Sequence, residues 1–154
     1  MSMIKNKIAL LAKEVMGLQL AAQYLSYSLE RCNQLEDLAA QTSPEALERL
    51  ESLTSRFARL ADLLTQRIFR LVDDIELVGG GTLLDRIYRA EKRGWVDASL
   101  MIEIRELRNM IAHEYANDKM PDIFSAVMHL SPPLLAVAPK VMQHAEDLIQ
   151  RYPS

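Results

Sequence analysis

The sequence predicts an all-α protein, an antiparallel bundle of about five helices that occupies residues 1–154 as one domain. Apolar residues recur at alternating steps of three and four along most of the chain, which is the period of an amphipathic helix. No stretch shows the sustained period-two alternation of a half-buried strand. A chain of 154 residues with 49% hydrophobic content is long enough for one domain with a full core. It is too short for two domains to be expected.

The first two helices are predicted to be long and to pair as a hairpin. One apolar seam runs from Ile4 to Cys32, and a second runs from Ala46 to Ile75. Ser43 followed by Pro44 is typical of an N-cap and a first helical residue. We expect the two helices to be antiparallel and to be joined near residues 34–42.

The second half of the chain is predicted to hold the shorter helices. The three glycines at 79–81 are expected to end the second helix and to act as a hinge or linker, because no lysine follows them at P-loop spacing and no strand precedes them. Thr82 and Asp85 resemble the capping box of a short third helix that Gly94 closes. Asp97 is expected to cap the fourth helix.

Prolines indicate where the last helices begin and end. A helix is expected to start after Pro121 and to be broken near Leu130 by Ser131-Pro132-Pro133. A further helix is then expected to run to about Tyr152, with a kink at Pro139.

Charge and composition limit the function classes. A net charge of −3 argues against a protein that coats nucleic acid by bulk electrostatics, although it allows a local basic cleft. Cys32 is the only cysteine, which excludes an internal disulfide and fits a reducing compartment. Lys13 and Glu14 interrupt the apolar run near the start before a signal-peptide core forms, and no 18 apolar residues follow one another. We expect a cytoplasmic protein without membrane association.

The most informative stretch is residues 108–115, Arg-Asn-Met-Ile-Ala-His-Glu-Tyr, within the predicted fourth helix. With Arg108 at zero, Arg105 falls near 60°, Asn109 near 100°, His113 near 140° and Tyr115 near −20° on the helical wheel, at about 100° per residue. The apolar residues Leu100, Ile104, Leu107 and Ile111 fall between about −100° and −40°. The cations, the imidazole and the phenol therefore lie off the core stripe, and such groups suit phosphate chemistry.

Two alternatives stand beside a functional role for this stretch. In the first, His113 is an ordinary polar helix residue and Arg108 pairs with a carboxylate on a neighbouring helix. A zinc protease is the second, and it is excluded because His113-Glu114 is not followed by histidine at position 117. His129 and His144 also lack metal-ligand spacing to His113, so we expect no metal site.

Arg86, Arg89 and Arg93 share one face of the predicted third helix. Taken singly, each is expected to lie on a solvated face with Asp85 and Glu91 as partners. Taken together, they are candidates to extend a phosphate-binding surface from Arg105 and Arg108.

The pattern Arg108-Asn109-x-x-Ala112-His113-x-Tyr115 closely resembles the signature of HEPN domains, which are small all-helical nucleotide-binding or RNase domains. More narrowly, it is similar to the HepT type, the toxin of HEPN–MNT toxin–antitoxin pairs. Three upstream segments resemble the HEPN proteins described as nucleotidyltransferase substrate-binding subunits: Arg56-Phe57, Thr82-Leu83-Leu84-Asp85-Arg86 and Ala90-Glu91-Lys92-Arg93-Gly94. The resemblance covers roughly residues 45–120, and only residues 108–115 are specific.

The resemblance implies a metal-independent endoribonuclease toxin. The catalytic residues would be Arg108, His113 and Asn109. RNA phosphates would be bound by Arg105, Arg86, Arg89 and Arg93. The active unit would be a homodimer in which the fourth helices (97–116) of two protomers meet. A partner nucleotidyltransferase of the MNT type, using its own ATP, would neutralise the toxin by attaching AMP to Tyr115; the chain itself would need no cofactor.

Two other functions remain open on the sequence. The same surface would serve a non-catalytic nucleotide- or substrate-binding subunit of a nucleotidyltransferase, which the upstream resemblance and the acidic net charge favour. A purely structural bundle requires the pattern at residues 108–115 to be chance.

Overall fold

The computed structural model of the chain describes residues 2–37, 43–113 and 119–152, and these form five helices without a strand. Helix α1 is Ser2–Asn33. Helix α2 is continuous and consists of an α-helical part Pro44–Asp62, a π-helical segment Leu63–Ile68 and a second α-helical part Phe69–Ile75. Helices α3, α4 and α5 are Leu83–Lys92, Ala98–His113 and Met120–Arg151. The predicted all-α bundle of about five helices is confirmed.

Helices α1 and α2 are antiparallel, as the sequence predicts. The Cys32 thiol lies 3.3 Å from the Arg49 carbonyl oxygen, and at the other end of the pair Arg67 lies 3.8 Å from Glu14. Residue numbers therefore fall along α1 as they rise along α2. The connection predicted at residues 34–42 lies partly outside the described residues.

One hydrophobic core joins all five helices. The apolar seam from Ala46 to Ile75 is buried along α2, and the seam of α1 is buried or half-buried from Ile8 to Cys32. On α4 the predicted stripe is buried at Ile104, Leu107 and Ile111 and half-buried at Leu100. Burying this face of α4 leaves Arg105 and Arg108 beside α1 and α2, whereas Glu103, Glu106, Asn109 and His113 are exposed.

Two of the predicted N-caps are present, and Gly94 closes α3 in the left-handed conformation at φ 82°. The Ser43 hydroxyl accepts a hydrogen bond from the Ala46 amide at 3.1 Å, and Pro44 is the first helical residue. Thr82 and Asp85 form a reciprocal capping box at the start of α3. Both motifs satisfy amide groups that have no partner inside the helix.

Helix α2 ends at Ile75, four residues before the first of the glycines at 79–81 that are predicted to end it. The Val78 amide donates to the Asp73 carbonyl and the Leu77 amide donates to the Asp74 carbonyl, which is a Schellman ending. Leu77 occupies its left-handed position at φ 61° and is 84% exposed. Hydrogen bonding of the last turn thus ends this helix before the first glycine.

The predicted break at Ser131-Pro132-Pro133 is wrong, because α5 continues through all three residues and through Pro139. The Ser131 hydroxyl donates to the Val127 carbonyl at 2.6 Å, and Leu130 and Leu134 are buried on either side of the prolines. Packing of this face into the core outweighs the backbone hydrogen bonds that the prolines cannot make.

Candidate functional site

Helix α4 places Arg105 and Arg108 side by side against α2. Their side chains are about a quarter exposed, in contrast to the fully buried Ile104 beside them. The three-residue spacing puts both guanidinium groups on one side of the helix, next to the core stripe. The wheel predicted this position.

Asp62 is the carboxylate that both arginines contact. Arg108 Nε donates to Asp62 Oδ1 and Arg108 NH2 donates to Asp62 Oδ2, each at 2.8 Å, which is a bidentate pair. Arg105 NH1 lies 3.8 Å from Asp62 Oδ1. The pairing of Arg108 with a carboxylate on a neighbouring helix, one of the two alternatives from the sequence, is therefore present.

Arg105 has a donor without a protein acceptor among the described residues. Its Nε is buried and makes no hydrogen bond there. A buried donor without an acceptor is costly unless a ligand or water satisfies it. Arg105 therefore keeps hydrogen-bonding capacity that Asp62 does not use.

The two arginines line a cleft of about 800 Å³ between α1, α2 and α4. Its charged lining comprises four arginines and two carboxylates: Arg59, Arg67, Arg105, Arg108, Glu14 and Asp62. Gly17 and Ala21 form the small-residue wall on α1. A concave site with an excess of cations suits an anionic ligand such as a phosphate group.

The π-helical segment of α2 forms one wall of this cleft through Leu63, Gln66 and Arg67. Inside it, the buried Thr65 hydroxyl donates to the Ala61 carbonyl at 2.8 Å. Such segments are rare and are found frequently at functional sites. The wider turn begins directly after Asp62, the residue that holds Arg108.

Asn109 and His113 do not line the cleft. Both side chains are exposed, and His113 is the last residue of α4. Within the described residues, His113 has no hydrogen bond or ion pair, so no contact there joins its imidazole to Arg105 or Arg108 of the same protomer. Tyr115, the predicted AMP acceptor, lies outside the described residues.

Arg89 of α3 and Arg93, the residue that follows α3, contact two carboxylates at the end of α2. Arg89 NH1 donates to Asp73 Oδ2 at 2.9 Å, and Arg93 NH1 lies 2.8 Å from Asp73 Oδ1. Arg93 also donates to Glu76 Oε1 at 2.8 and 3.0 Å. Their partners are therefore Asp73 and Glu76 rather than the Asp85 and Glu91 expected from the sequence.

These contacts favour a structural role for Arg89 and Arg93. Asp73 is only 2% exposed and Arg93 only 12% exposed, and Arg89 also donates to the Gly80 carbonyl, which holds the glycine linker. Arg86 donates to the Thr65 carbonyl at 3.4 Å. Binding of RNA phosphates by these three arginines stays a prediction, and for Arg89 and Arg93 it requires release from a buried carboxylate.

A second titratable pair extends this network to α5. His144 Nε2 lies 2.9 Å from Glu76 Oε2, and because a carboxylate only accepts, Nε2 carries the hydrogen. Burial raises the pKa of Glu76, but hydrogen bonds from His144 and Arg93 outweigh burial and bring that pKa below its usual value of 4.5. Trp95 contacts both partners, with the Arg93 guanidinium 5.0 Å and the His144 ring 5.1 Å from its centroid. The network joins α2, α3 and α5.

Sequence reasoning missed Asp62, Asp73, Glu76 and His144. Asp62 and Asp73 each interrupt an apolar run, Leu60-Ala61-Asp62-Leu63-Leu64 and Leu71-Val72-Asp73, and a carboxylate on such a face needs a cation if it is buried. That signal was present in the sequence. Arg108, 46 residues away, is the cation that pairs with Asp62, and this pairing follows only from the packing of α4 on α2.

Residues 2–37, 43–113 and 119–152 contain neither a cluster of metal-ligating side chains nor a membrane-spanning helix. No group of three or more histidine, cysteine, aspartate or glutamate side chains in these ranges is arranged to hold a metal ion. No helix in the same ranges combines the length and the apolar character needed to cross a membrane.

Comparison with known proteins places the chain in no family. No protein-family model matches it, and neither a curated protein nor a solved structure gives a significant match.

Proposed function

We propose that the chain is a metal-independent endoribonuclease toxin of the HEPN type. The observation that carries the proposal is the cleft in which Asp62 holds Arg108 beside Arg105, on the same helix that ends in His113. Arginine suits a phosphate group because its planar fork matches two phosphate oxygens. The resemblance of residues 108–115 to the HEPN signature adds the reaction class.

The proposed reaction is attack by an RNA 2′-hydroxyl on the adjacent phosphorus. One imidazole takes the hydroxyl proton, the bond from phosphorus to the 5′-oxygen breaks, and a protonated imidazole gives a proton to that oxygen. The products are a 2′,3′-cyclic phosphate and a 5′-hydroxyl. Arg108 and Arg105 stabilise the charge on the phosphate in the transition state, and Asn109 contacts the imidazole or a phosphate oxygen.

Acid and base together require two imidazoles, and one protomer supplies one His113. A two-fold homodimer supplies the second, since a residue near the axis is brought close to its own copy. The exposure of His113 at the end of α4 supports this arrangement, because an exposed side chain remains available to a second protomer. Asp62 then orients the Arg108 fork before the substrate binds.

Control of the toxin is proposed to occur at Tyr115. A partner nucleotidyltransferase of the MNT type transfers AMP from ATP to the phenol oxygen, which loses its proton while pyrophosphate leaves, and the added phosphate brings negative charge and bulk. The ATP belongs to the partner.

The experiment is cleavage of a labelled RNA by the purified chain in EDTA, with mass spectrometry of the product ends. We expect cyclic phosphate and 5′-hydroxyl ends from the wild type and no cleavage by His113→Ala or Arg108→Ala. His129→Ala is the matched control, because His129 is an exposed histidine on α5 and lies outside the cleft. Cleavage that needs added magnesium, or full activity of His113→Ala, would refute the mechanism.

A non-catalytic nucleotide-binding subunit is the second candidate function. The observation that favours it is that His113 and Asn109 do not line the cleft, while Arg108 already has a carboxylate partner. Nucleotide binding without cleavage by the folded wild-type protein would support this candidate over the first.

A further inference from the structure

Two depressions lie in line along the pair of helices α1 and α2, and each has more positive than negative side chains in its lining. Together they are called the α1–α2 groove. Its far end is a depression of about 350 Å³ whose charged lining comprises three arginines and two glutamates: Arg31, Arg49, Arg56, Glu45 and Glu48. The cleft at its near end has four arginines and two carboxylates. The groove thus carries a net charge of +3, whereas the whole chain carries −3.

The two depressions adjoin one another along α2. Arg56 lines the far depression and Arg59 lines the cleft, and the two are one helical turn apart. Between Glu45 and Arg67 the lining of α2 extends over about 30 Å at 1.5 Å per residue. On the opposite wall, α1 runs antiparallel from Arg31 to Glu14.

Two exposed aromatic side chains accompany the cations. Tyr24 and Tyr27 are about half exposed and lie three residues apart on one face of α1. Arg56 lies over the Tyr24 ring at 5.4 Å, and Arg31 lies over the Tyr27 ring at 5.7 Å. Arg56 is held in place by the Ser28 hydroxyl at 2.7 Å and the Tyr24 carbonyl at 3.2 Å.

We propose that this α1–α2 groove binds single-stranded RNA and guides it from Arg31 and Arg49 into the cleft of Arg105 and Arg108. Cations along a groove follow a phosphate backbone, and exposed aromatic rings stack with bases of any sequence. A duplex has no unstacked bases for the tyrosines, so the single strand is the form that fits. The proposal depends on the proposed function only in that the cleft is where the RNA is cut.

A second copy of the chain is the competing occupant of this groove. A two-fold pairing of the groove with itself would bring net positive charge against net positive charge, which disfavours association. An anionic polymer has the opposite charge. The charge of the groove therefore favours RNA.

The test measures binding of a fluorescent 2′-O-methyl oligouridine 12-mer, which the enzyme cannot cleave because the 2′-oxygen carries no proton. Arg31→Gln and Arg49→Gln should each weaken binding about fivefold and reduce the slope of log affinity against log salt by about 0.7. Tyr27→Ala should weaken binding about tenfold. Arg151→Gln, an exposed arginine at the end of α5 outside both depressions, should bind as the wild type does.

Two outcomes would overturn the groove proposal: no binding of the 12-mer by the wild type, or wild-type affinity in both arginine variants. If those variants also became monomeric in light scattering, the groove would be assigned to a second copy. Cleavage of unmodified oligouridine by the same wild-type preparation separates the two proposals. Binding without cleavage refutes only the endoribonuclease, and cleavage with unchanged affinity in the variants refutes only the groove.

Discussion

Replacing the buried carboxylate of Asp73 tests whether the arginines of α3 hold the fold together. Asp73→Asn keeps the size of the side chain and removes the charge that Arg89 and Arg93 share. Arg93 is 12% exposed, so it would remain as a largely buried cation with Glu76 as its remaining partner. Removing one member of a buried ion pair costs about 3–5 kcal/mol. For a chain of this length that corresponds to a melting temperature lower by roughly 6–20 °C.

The assay is urea and thermal unfolding followed by circular dichroism at 222 nm. Asp74→Asn is the matched control, since Asp74 is adjacent, half-buried and without an ion pair among the described residues. It should change the free energy of unfolding by less than about 0.5 kcal/mol. The double variant Asp73→Asn/Arg93→Met should be less destabilised than the sum of the single variants by about 1–3 kcal/mol, because removing both charges leaves neither uncompensated.

A result that refutes this reasoning is a free energy of unfolding for Asp73→Asn within about 1 kcal/mol of the wild type. Asp73 would then not be the anchor of Arg89 and Arg93 in solution. If Arg89→Gln and Arg93→Gln also kept full stability and lost affinity for RNA, the phosphate-binding interpretation of these arginines would gain direct support. Stability loss without a change in RNA affinity is the expected result.

The remaining predictions concern acid stability, a strained residue, AMP transfer and assembly. Glu76→Gln should be less stable than the wild type near pH 7. The difference in stability should disappear as the pH falls through the folded-state pKa of Glu76, which lies below 4.5. Urea unfolding at a series of pH values measures this difference. Leu77→Gly should stabilise the protein by about 0.5 kcal/mol, since glycine adopts the left-handed region without the penalty that leucine has; equal or lower stability in urea would count against strain at this position. Tyr115→Phe should retain cleavage and escape AMP transfer, and intact-mass spectrometry with a competent nucleotidyltransferase and ATP would contradict this by finding AMP on another tyrosine. Light scattering should give a dimer at micromolar concentration, and a monomer alone would argue against the two-imidazole mechanism.

Much of the fold follows from the sequence because its signals are local. The buried faces of α1, α2 and α4 repeat with the helical period, and the caps at Ser43 and Thr82 depend on residues no more than three positions away. The helix break predicted at Pro132 and Pro133 is wrong because the deciding interactions there are not local. Proline weakens a helix locally, but the burial of Leu130 and Leu134 depends on the rest of the bundle.

In the candidate site, too, the features that depend on residue spacing could be predicted, and those that depend on helix packing could not. The wheel of α4 correctly separates Arg105 and Arg108 from the core stripe, because that separation depends only on spacing. The partners of the arginines could not be derived in the same way. Arg93 contacts Asp73, 20 residues earlier, while the nearer Glu91 instead accepts a hydrogen bond from the Ala98 amide. Which carboxylate is available depends on which faces the helices bury.

The π-helical segment lets α2 hold one extra residue between its two α-helical parts. An α-helix turns about 100° per residue, and the wider π turn absorbs one such step, so residues beyond Leu63–Ile68 keep the direction they would have in an α-helix one residue shorter. Asp62 faces the cleft before the segment, and Asp73 contacts α3 after it. The segment therefore acts as a one-residue insertion, and the continuous helix contacts Arg108 of α4 on one side of it and Arg93 on the other. A deletion of one residue inside the segment would be absorbed by a return to the α-helical turn, and Asp62 and Asp73 would keep their directions relative to each other.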